Sequence, residues 1–388
     1  MPLVVYILGL TIFSVTTSEF MVAGMMLSLT SAFDVSVTEI GYLISLYAGG
    51  MVIGGPLLTT FLLKLRVPNK RALLWLLSAY AFAQAIAASA ASYEIMAAAR
   101  VATGVAGSAC FGVALAICAE IVGPSARGRA ASVVIGGLML ATVLGVPMAT
   151  IVDQHMGWRA AFWLVFVLTV ICGLIVSILV PRSRNQQTVG LGAELAEFRN
   201  PHLWAAYMTS ALIIGATFAA FAYFAPILTE VTGFTAAAIP WLLGVYGLAN
   251  VVGNSVVGRY ADRYTMPIML LGLIVLSVTL ILLALLAQYA ATAVALIIVI
   301  GLVGVPMNPA MITRVMRTAA HPGPLVNTVH TSVINIGLAV GSWVGGLGIS
   351  AGYGLRSPLW VGVALALLGV VSLLPYMRRN WQALPAGE

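Results

Sequence analysis

The sequence predicts an all-α membrane protein, with twelve transmembrane helices in two six-helix bundles. Three observations carry that expectation. Eighteen basic and 11 acidic residues among 388 leave only 7% charged, against 61% apolar and a mean hydropathy of +1.07. Soluble domains carry about 25% charged residues, so a water-soluble fold could not cover its outside with this composition. Soluble enzymes, disordered chains and disulfide scaffolds are excluded on that ground. Second, the apolar runs are continuous over about 20 residues or more, the length of a helical span, where a membrane β-barrel shows alternation over ~10 residues. Third, the basic residues fall almost entirely in alternate joints between the runs.

Taken in order, the first run covers roughly 4–28. No basic segment precedes it and no small-residue cleavage site follows, so it reads as a span and not a signal peptide. Runs at 38–63, 71–91 and 93–118 follow, the first two separated by the basic stretch Lys64, Arg66, Lys70 and Arg71. The fifth run, 129–153, starts after Arg127, and the sixth, 158–180, ends at Pro181. A polar joint at 181–201 then divides the chain into bundles 1–180 and 202–388. The second bundle holds runs at 202–228, 236–258, 265–288, 291–313, 324–351 and 358–377. With twelve spans, 15 of the 18 basic residues lie on one side, including Arg182, Arg184, Arg199, Arg259, Arg263, Arg314, Arg317, Arg378 and Arg379. Arg159 and Arg356 lie on the other, and Arg100 lies within a span. The basic side is expected to be cytoplasmic, with both termini inside. Cys110, Cys118 and Cys172 sit inside spans and suggest neither disulfide nor metal site.

The two bundles repeat one design. At an offset of 199 residues, Tyr42 meets Trp241, Leu43 meets Leu242, Tyr47 meets Tyr246 and Gly54 meets Gly253. Duplicated halves are the usual build of secondary transporters and argue against a channel assembled from short subunits.

Ionisable groups inside the hydrocarbon cost at least ~2.5 kcal/mol and generally mark a pathway. Glu19 is the acid well inside a span, ~15 Å deep by helical rise, and Arg100 is ~10 Å deep. The pair can meet if spans one and four are neighbours. Burial makes a carboxyl hold its proton and a nearby guanidinium loosens that hold, so Glu19 is the candidate proton carrier. Arg100, which cannot give up its proton, is the fixed counter-charge, although a purely structural ion pair is the plainer alternative. His330 fits a hydrogen-bonded core histidine at least as well as a relay. Asn250, Asn308 and Asn335 are candidate substrate contacts or interhelical hydrogen bonders, and Asn254 and Gln84 share that ambiguity. Tyr47, Phe221, Tyr223 and Tyr246 with Met139 could wall an amphipathic pocket, although such residues more often simply pack. Gly136, Gly137, Gly145 and Pro147 in span five, and the glycines of span eleven from Gly337 to Gly348, permit close helix approach and bending. They are the expected seam of motion. No ATP-binding loop, metal cluster or nucleophile elbow occurs, so neither cofactor nor metal is expected and a gradient must supply the energy.

Several of these segments resemble the major facilitator superfamily, in its twelve-span drug:proton antiporter group. Thr17-Ser18-Glu19-Phe20 with Val22-Ala23-Gly24 is similar to the first-span signature of bacterial chloramphenicol-resistance and sugar-efflux members. Arg100-Val101-Ala102-Thr103-Gly104 matches the fourth-span motif whose arginine the family associates with proton coupling. Gly145-Val146-Pro147 looks like the fifth-span antiporter motif, followed by Gly157-Trp158-Arg159 and Phe162. Gly258-Arg259-Tyr260-Ala261-Asp262-Arg263 copies the cytoplasmic loop motif whose aspartate helps lock the outward-facing state. The first-half copy of that loop, Leu62 to Arg71, lacks the aspartate. Gly-Val-Pro stands where Gly-Pro is usual, and Met25-Met26 where many relatives carry Leu-Pro. Ile312-Thr313-Arg314-Val315 and Asn335-Ile336-Gly337 favour the chloramphenicol exporters.

The resemblance implies a monomeric inner-membrane exporter, not an enzyme, that exchanges protons for small amphipathic or neutral compounds. Its partners would be the substrate, protons and membrane lipid, without nucleic acid. Glu19 and Arg100 would couple protons, and Gly145, Pro147, Asp262 and Arg263 would gate. A sugar or nucleoside exporter of the same fold, and a membrane sensor that transports nothing, are the alternatives.

Overall fold

The computed structural model describes residues 1–65, 67–122, 127–181, 197–319 and 324–381. Among them the apolar runs are helical, with short breaks such as that at Met25. The first half comprises α1 (Leu3–Gly24), α2 (Val37–Lys64), α3 (Asn69–Ala88), α4 (Tyr93–Ser108 continued by Cys110–Ile121), α5 and α6 (Trp158–Leu179). Helix α5 is built from Arg127–Leu140, a π turn at Ala141–Gly145 and Val146–Met156. Pro147 has no N–H to give the preceding turn, and the widened turn lies directly before it. The second half begins with α7 (Pro201–Phe221). A single helix of 48 residues, Ile239–Leu286, follows. At 1.5 Å per residue it would be about 72 Å long, more than twice a bilayer core. It is two spans, α8 (239–263) and α9 (265–286), joined through the non-helical backbone of Tyr264 (φ −123°, ψ 35°). This is why, among the described residues, eleven helices long and apolar enough to cross a membrane supply twelve candidate spans. Helix α10 runs through Ala290–Val303 and Asn308–Thr318, followed by α11 (Pro324–Gly348) and α12 (Ser357–Trp381).

Local chemistry sets several of the ends. Ser36 and Glu39 form a capping box on α2: the Ser36 N–H and hydroxyl donate to Glu39 Oε2 at 2.8 and 2.7 Å, and the Glu39 N–H donates back to Ser36 Oγ at 3.2 Å. The first apolar run breaks at Met25, and the short helix Met26–Phe33 ends on left-handed Asp34 (φ 53°). In the middle of the expected joint 181–201, residues 182–196 lie outside the described residues, as do Arg66, Arg182, Arg184, Glu194 and Glu388.

By packing, the chain forms two units, Met1–Thr188 with Ala222–Leu248, and Val189–Phe221 with Ala249–Glu388. The sequence assigns 222–248 to the second bundle, whereas its packing is with the first. In the first unit α1 packs on α5 and α6, α2 on α4, and α3 on α4 and α6. A Cβ on Gly137 would lie 2.0 Å from the Gly9 carbonyl oxygen, and one on Gly104 would lie 2.1 Å from that of Tyr47. In the second unit α7 packs on α11 and α12, with Gly337 and Gly341 set against the carbonyls of Ala211 and Gly215. The pair matched in sequence, Gly54 and Gly253, does the same work in each unit. Gly54 admits Val105 of α4, and Gly253 admits Leu302 of α10. Gly137 and Gly145 of α5, and Gly337 and Gly341 of α11, thus admit the first helix of their own half, the close approach that small residues permit.

Candidate functional site

Arg100 is fully buried in α4, and its surroundings are built from main chain. Nη1 donates to the Ser18 carbonyl at 2.8 Å and to Ser18 Oγ at 3.3 Å. Nη2 donates to the Glu19 carbonyl at 3.0 Å, and Nε to the Leu43 carbonyl at 3.4 Å. The guanidinium carbon lies 4.3 Å from the centre of the Tyr47 ring. One side chain therefore ties α4 to α1 and α2. The planar fork of five donors makes this possible, and carbonyl dipoles with the aromatic face offset the buried charge.

Glu19 is only half-buried. Arg100 and Glu19 do meet, as their depths suggest, but through the Glu19 carbonyl and not through an ion pair with the carboxylate. A second layer holds this arrangement. Ser18 Oγ donates to Gln84 Oε1 at 3.0 Å, and Gln84 Nε2 reaches the Phe162 carbonyl at 3.4 Å. The hydroxyls of Tyr80 and Tyr47 converge on the Val15 carbonyl at 3.2 and 3.4 Å. Ser14 Oγ and Thr169 Oγ1 lie 2.9 Å apart, joining α1 to α6. Ser14, Ser18 and Tyr80 are absent from the expected set. Polar residues one turn apart on α1 were the available signal for the first two.

The other predicted residues distribute by unit. In the first, Tyr47 is fully buried beneath Arg100. Met139 is half-buried in α5. Tyr223 is buried with its hydroxyl where a side chain on Gly41 would be, and Tyr246 meets Phe224 edge-on at 5.5 Å. Gly145 leaves room for the Thr17 hydroxyl of α1, while Pro147 faces Gly244. In the second unit, Phe221 packs edge-on against Phe218 at 5.4 Å. Asn250 and Asn335 are buried, and Asn335 Nδ2 donates to the Thr331 carbonyl at 3.0 Å. Asn308 Oδ1 is buried without a hydrogen-bond partner among the described residues. His330 is buried, stacked on Tyr207 at 5.8 Å, with Nε2 2.9 Å from Ser210 Oγ. At the end of α8, Asp262 Oδ1 accepts from Thr313 Oγ1 at 3.2 Å and its carbonyl accepts from Arg317 Nη2 at 2.6 Å. Arg263 is exposed beside Tyr264.

Comparison with known proteins bears directly on this arrangement. The sequence signature of the Major Facilitator Superfamily matches residues 8–323. The chain is 32% identical over 390 residues to the chloramphenicol resistance protein of Streptomyces lividans, covering 100% of this chain and 99% of that one. It is 31% identical to the uncharacterized MFS-type transporter YtbD of Bacillus subtilis (strain 168), over 96% of this chain and 94% of the relative. It is 30% identical to the inner membrane transport protein YdhP of Escherichia coli (strain K12), over 97% and 95%. Among solved structures, a bacterial homolog to the human lysosomal transporter Spinster, inward-facing and unoccupied, superposes with a TM-score of 0.75 at 13% identity. That superposition covers 99% of this chain and 98% of the other and shows a common fold. The chain is a member of the Major Facilitator Superfamily, a multi-pass membrane transporter and not an enzyme.

Proposed function

We propose that this transporter exports small amphipathic or neutral compounds, chloramphenicol-like drugs among them, across the bacterial inner membrane in exchange for protons. The observation that carries the reading is the division of labour between Arg100 and Glu19. Arg100 is committed to the main chain of α1 and α2, while the half-buried carboxylate of Glu19 stays out of an ion pair with it. An intramembrane acid left unlocked beside a permanent cation can exchange its proton within a cycle. The substrate class is supported by the name of the Streptomyces relative.

In this reading Glu19 is ionised while substrate binds from the cytoplasm. Protonation from the opposite side weakens substrate binding and promotes release, and the protonated, empty form returns to discharge inside. Coupling requires only that proton and substrate stabilise the two states differently. The basic loops face the cytoplasm, with both termini inside, and the protein works as a monomer. Asp262, Arg263, Gly145 and Pro147 govern the change of state. Met139, Tyr246 and Asn308 are the substrate contacts to test first.

The test is drug uptake into inside-out vesicles under an imposed pH gradient, wild type against Glu19→Gln. The variant is expected to lose accumulation driven by the gradient and to retain drug binding. Undiminished uphill accumulation would sink the mechanism.

A further inference from the structure

The joint between the fifth and sixth helices recurs in the second half. Gly157-Trp158-Arg159 links α5 to α6, and Gly354-Leu355-Arg356 links α11 to α12, 197 residues later. Gly157 (φ 85°, ψ 159°) and Gly354 (φ 76°, ψ 174°) share a conformation that only glycine adopts without strain. Each arginine then reaches back to the turn after the third helix of its own half. Arg159 Nη2 donates to the Ala90 carbonyl at 2.9 Å, and Arg356 Nη2 donates to Gln288 Oε1 at 2.9 Å.

The two joints differ at the middle residue. In the first half Trp158 is buried, with its ring 4.3 Å from the Arg159 guanidinium and packed on Phe33 at 5.2 Å and Phe162 at 5.9 Å. In the second half the ring is replaced by Leu355. Beside Arg356 lies an open groove of about 760 Å³, lined by Val344, Leu347, Tyr353, Trp360 and Val361 among others. Its volume falls within the ~300–1,000 Å³ of small-molecule sites. Arg356 is the one formal charge among the lining residues. Tyr353 is 80% exposed and Trp360 46%, amphipathic rings of the kind membranes collect at headgroup level.

We infer that the groove binds one anionic phospholipid, with an acyl chain against Val344, Leu347 and Val361 and its phosphate on Arg356. The remaining donors of a guanidinium already anchored by Gln288 suit a phosphate, which it can grip in two places. The walls are apolar at the depth where lipid chains lie, so the surroundings supply the occupant. The site is at the end of the bundle away from the basic loops, which assigns the lipid to the opposite leaflet. This holds whatever compound is transported and whatever drives it.

The test uses the full-length protein, stripped of lipid in detergent and exposed to mixed vesicles of phosphatidylglycerol and phosphatidylethanolamine. Native mass spectrometry then counts the lipid retained. Wild type is expected to prefer phosphatidylglycerol about fivefold, the contribution of one basic residue at a charged membrane surface. Arg356→Gln is expected to lose the preference while still retaining lipid. Val344→Trp, which places a ring in the lining, is expected to exclude both lipids, and Leu347→Trp serves as a second filling variant should that one misfold. The inference is overturned if wild type shows no preference, or if a folded filling variant keeps as much lipid as wild type. Displacement by inorganic phosphate alone would assign the site to a free oxyanion, and displacement by chloramphenicol to a transported compound. Either overturns the lipid assignment.

Discussion

Arg100→Lys separates a tie from a charge. Lysine keeps the positive charge at this depth but offers one compact ammonium in place of a planar fork. The two short bonds, to the Ser18 carbonyl at 2.8 Å and the Glu19 carbonyl at 3.0 Å, leave different nitrogens, and a third, longer bond goes to Leu43 on α2. An ammonium has three donors but a single nitrogen on a shorter reach, so it is expected to hold one of the short pair and lose the other. Hydrogen bonds from charged groups are worth about 1.5–3 kcal/mol each. Losing one, with part of the ring interaction over Tyr47, comes to about 3 kcal/mol. An unfolding entropy of about 2.1 cal/mol/K per residue over the chain's length converts this to a fall of about 4 °C in unfolding temperature. The assay is thermal unfolding in detergent, followed by tryptophan fluorescence, run beside drug uptake for the same variant. Uptake is expected to fall with stability, because the main chain carrying Glu19 loses its anchor. A variant that melts within a degree of wild type and transports normally would show that position 100 needs only a charge, and the tie would be discarded.

Two further predictions rest on packing. Gly136 and Gly137 are neighbours on α5, yet a Cβ at 136 meets nothing within 4 Å while one at 137 would strike the Gly9 carbonyl. Gly136→Ala should stabilise by up to about 1 kcal/mol through helix propensity, whereas Gly137→Ala should destabilise by about 1–3 kcal/mol. Unfolding temperatures moving in the same direction would refute the assignment of faces. Arg314 is buried with neither terminal nitrogen hydrogen-bonded among the described residues, and its guanidinium carbon lies 5.1 Å from the Tyr376 ring centre. Arg314→Met should raise the unfolding temperature, since apolar replacement of uncompensated buried charge is often worth about 1–4 kcal/mol. A fall would mean that the guanidinium is held by a group beyond the described residues.

The order of the helices was legible because each apolar run is long enough to span and the joints between runs are short and polar. The join of α8 to α9 was legible from charge, with Arg259, Asp262 and Arg263 between apolar runs, whereas the near-continuous helix bent at Tyr264 left no mark in the sequence. Glu19 and Arg100 stood out as charges within apolar runs. Their mode of contact did not, because carbonyl acceptors occur at every residue and leave no mark in a sequence. Tyr47 illustrates the same limit. An aromatic residue on α2 suits a pocket wall or a core equally, and only the position of α4 shows that Arg100 covers it. Gly136 and Gly137 are identical as letters, and one helical step separates open space from backbone contact. Asp153 reads as a residue at a span end. In the fold it is buried, takes a 2.6 Å bond from Ser28 Oγ, and its other carboxylate oxygen has no partner among the described residues.

Because Arg100 grips α1 through carbonyls, the grip does not depend on which side chain occupies position 19. Architecture and chemistry are inherited separately at this point of the chain. A lineage can exchange the acid for a neutral or differently sized group and still fold, so new coupling behaviour is reachable by single substitutions that leave the helices in place. Position 100 has no such freedom, since every tie there runs through one guanidinium. Folding therefore constrains position 100 directly, whereas position 19 is constrained by the chemistry its side chain carries, though the two are neighbours in space.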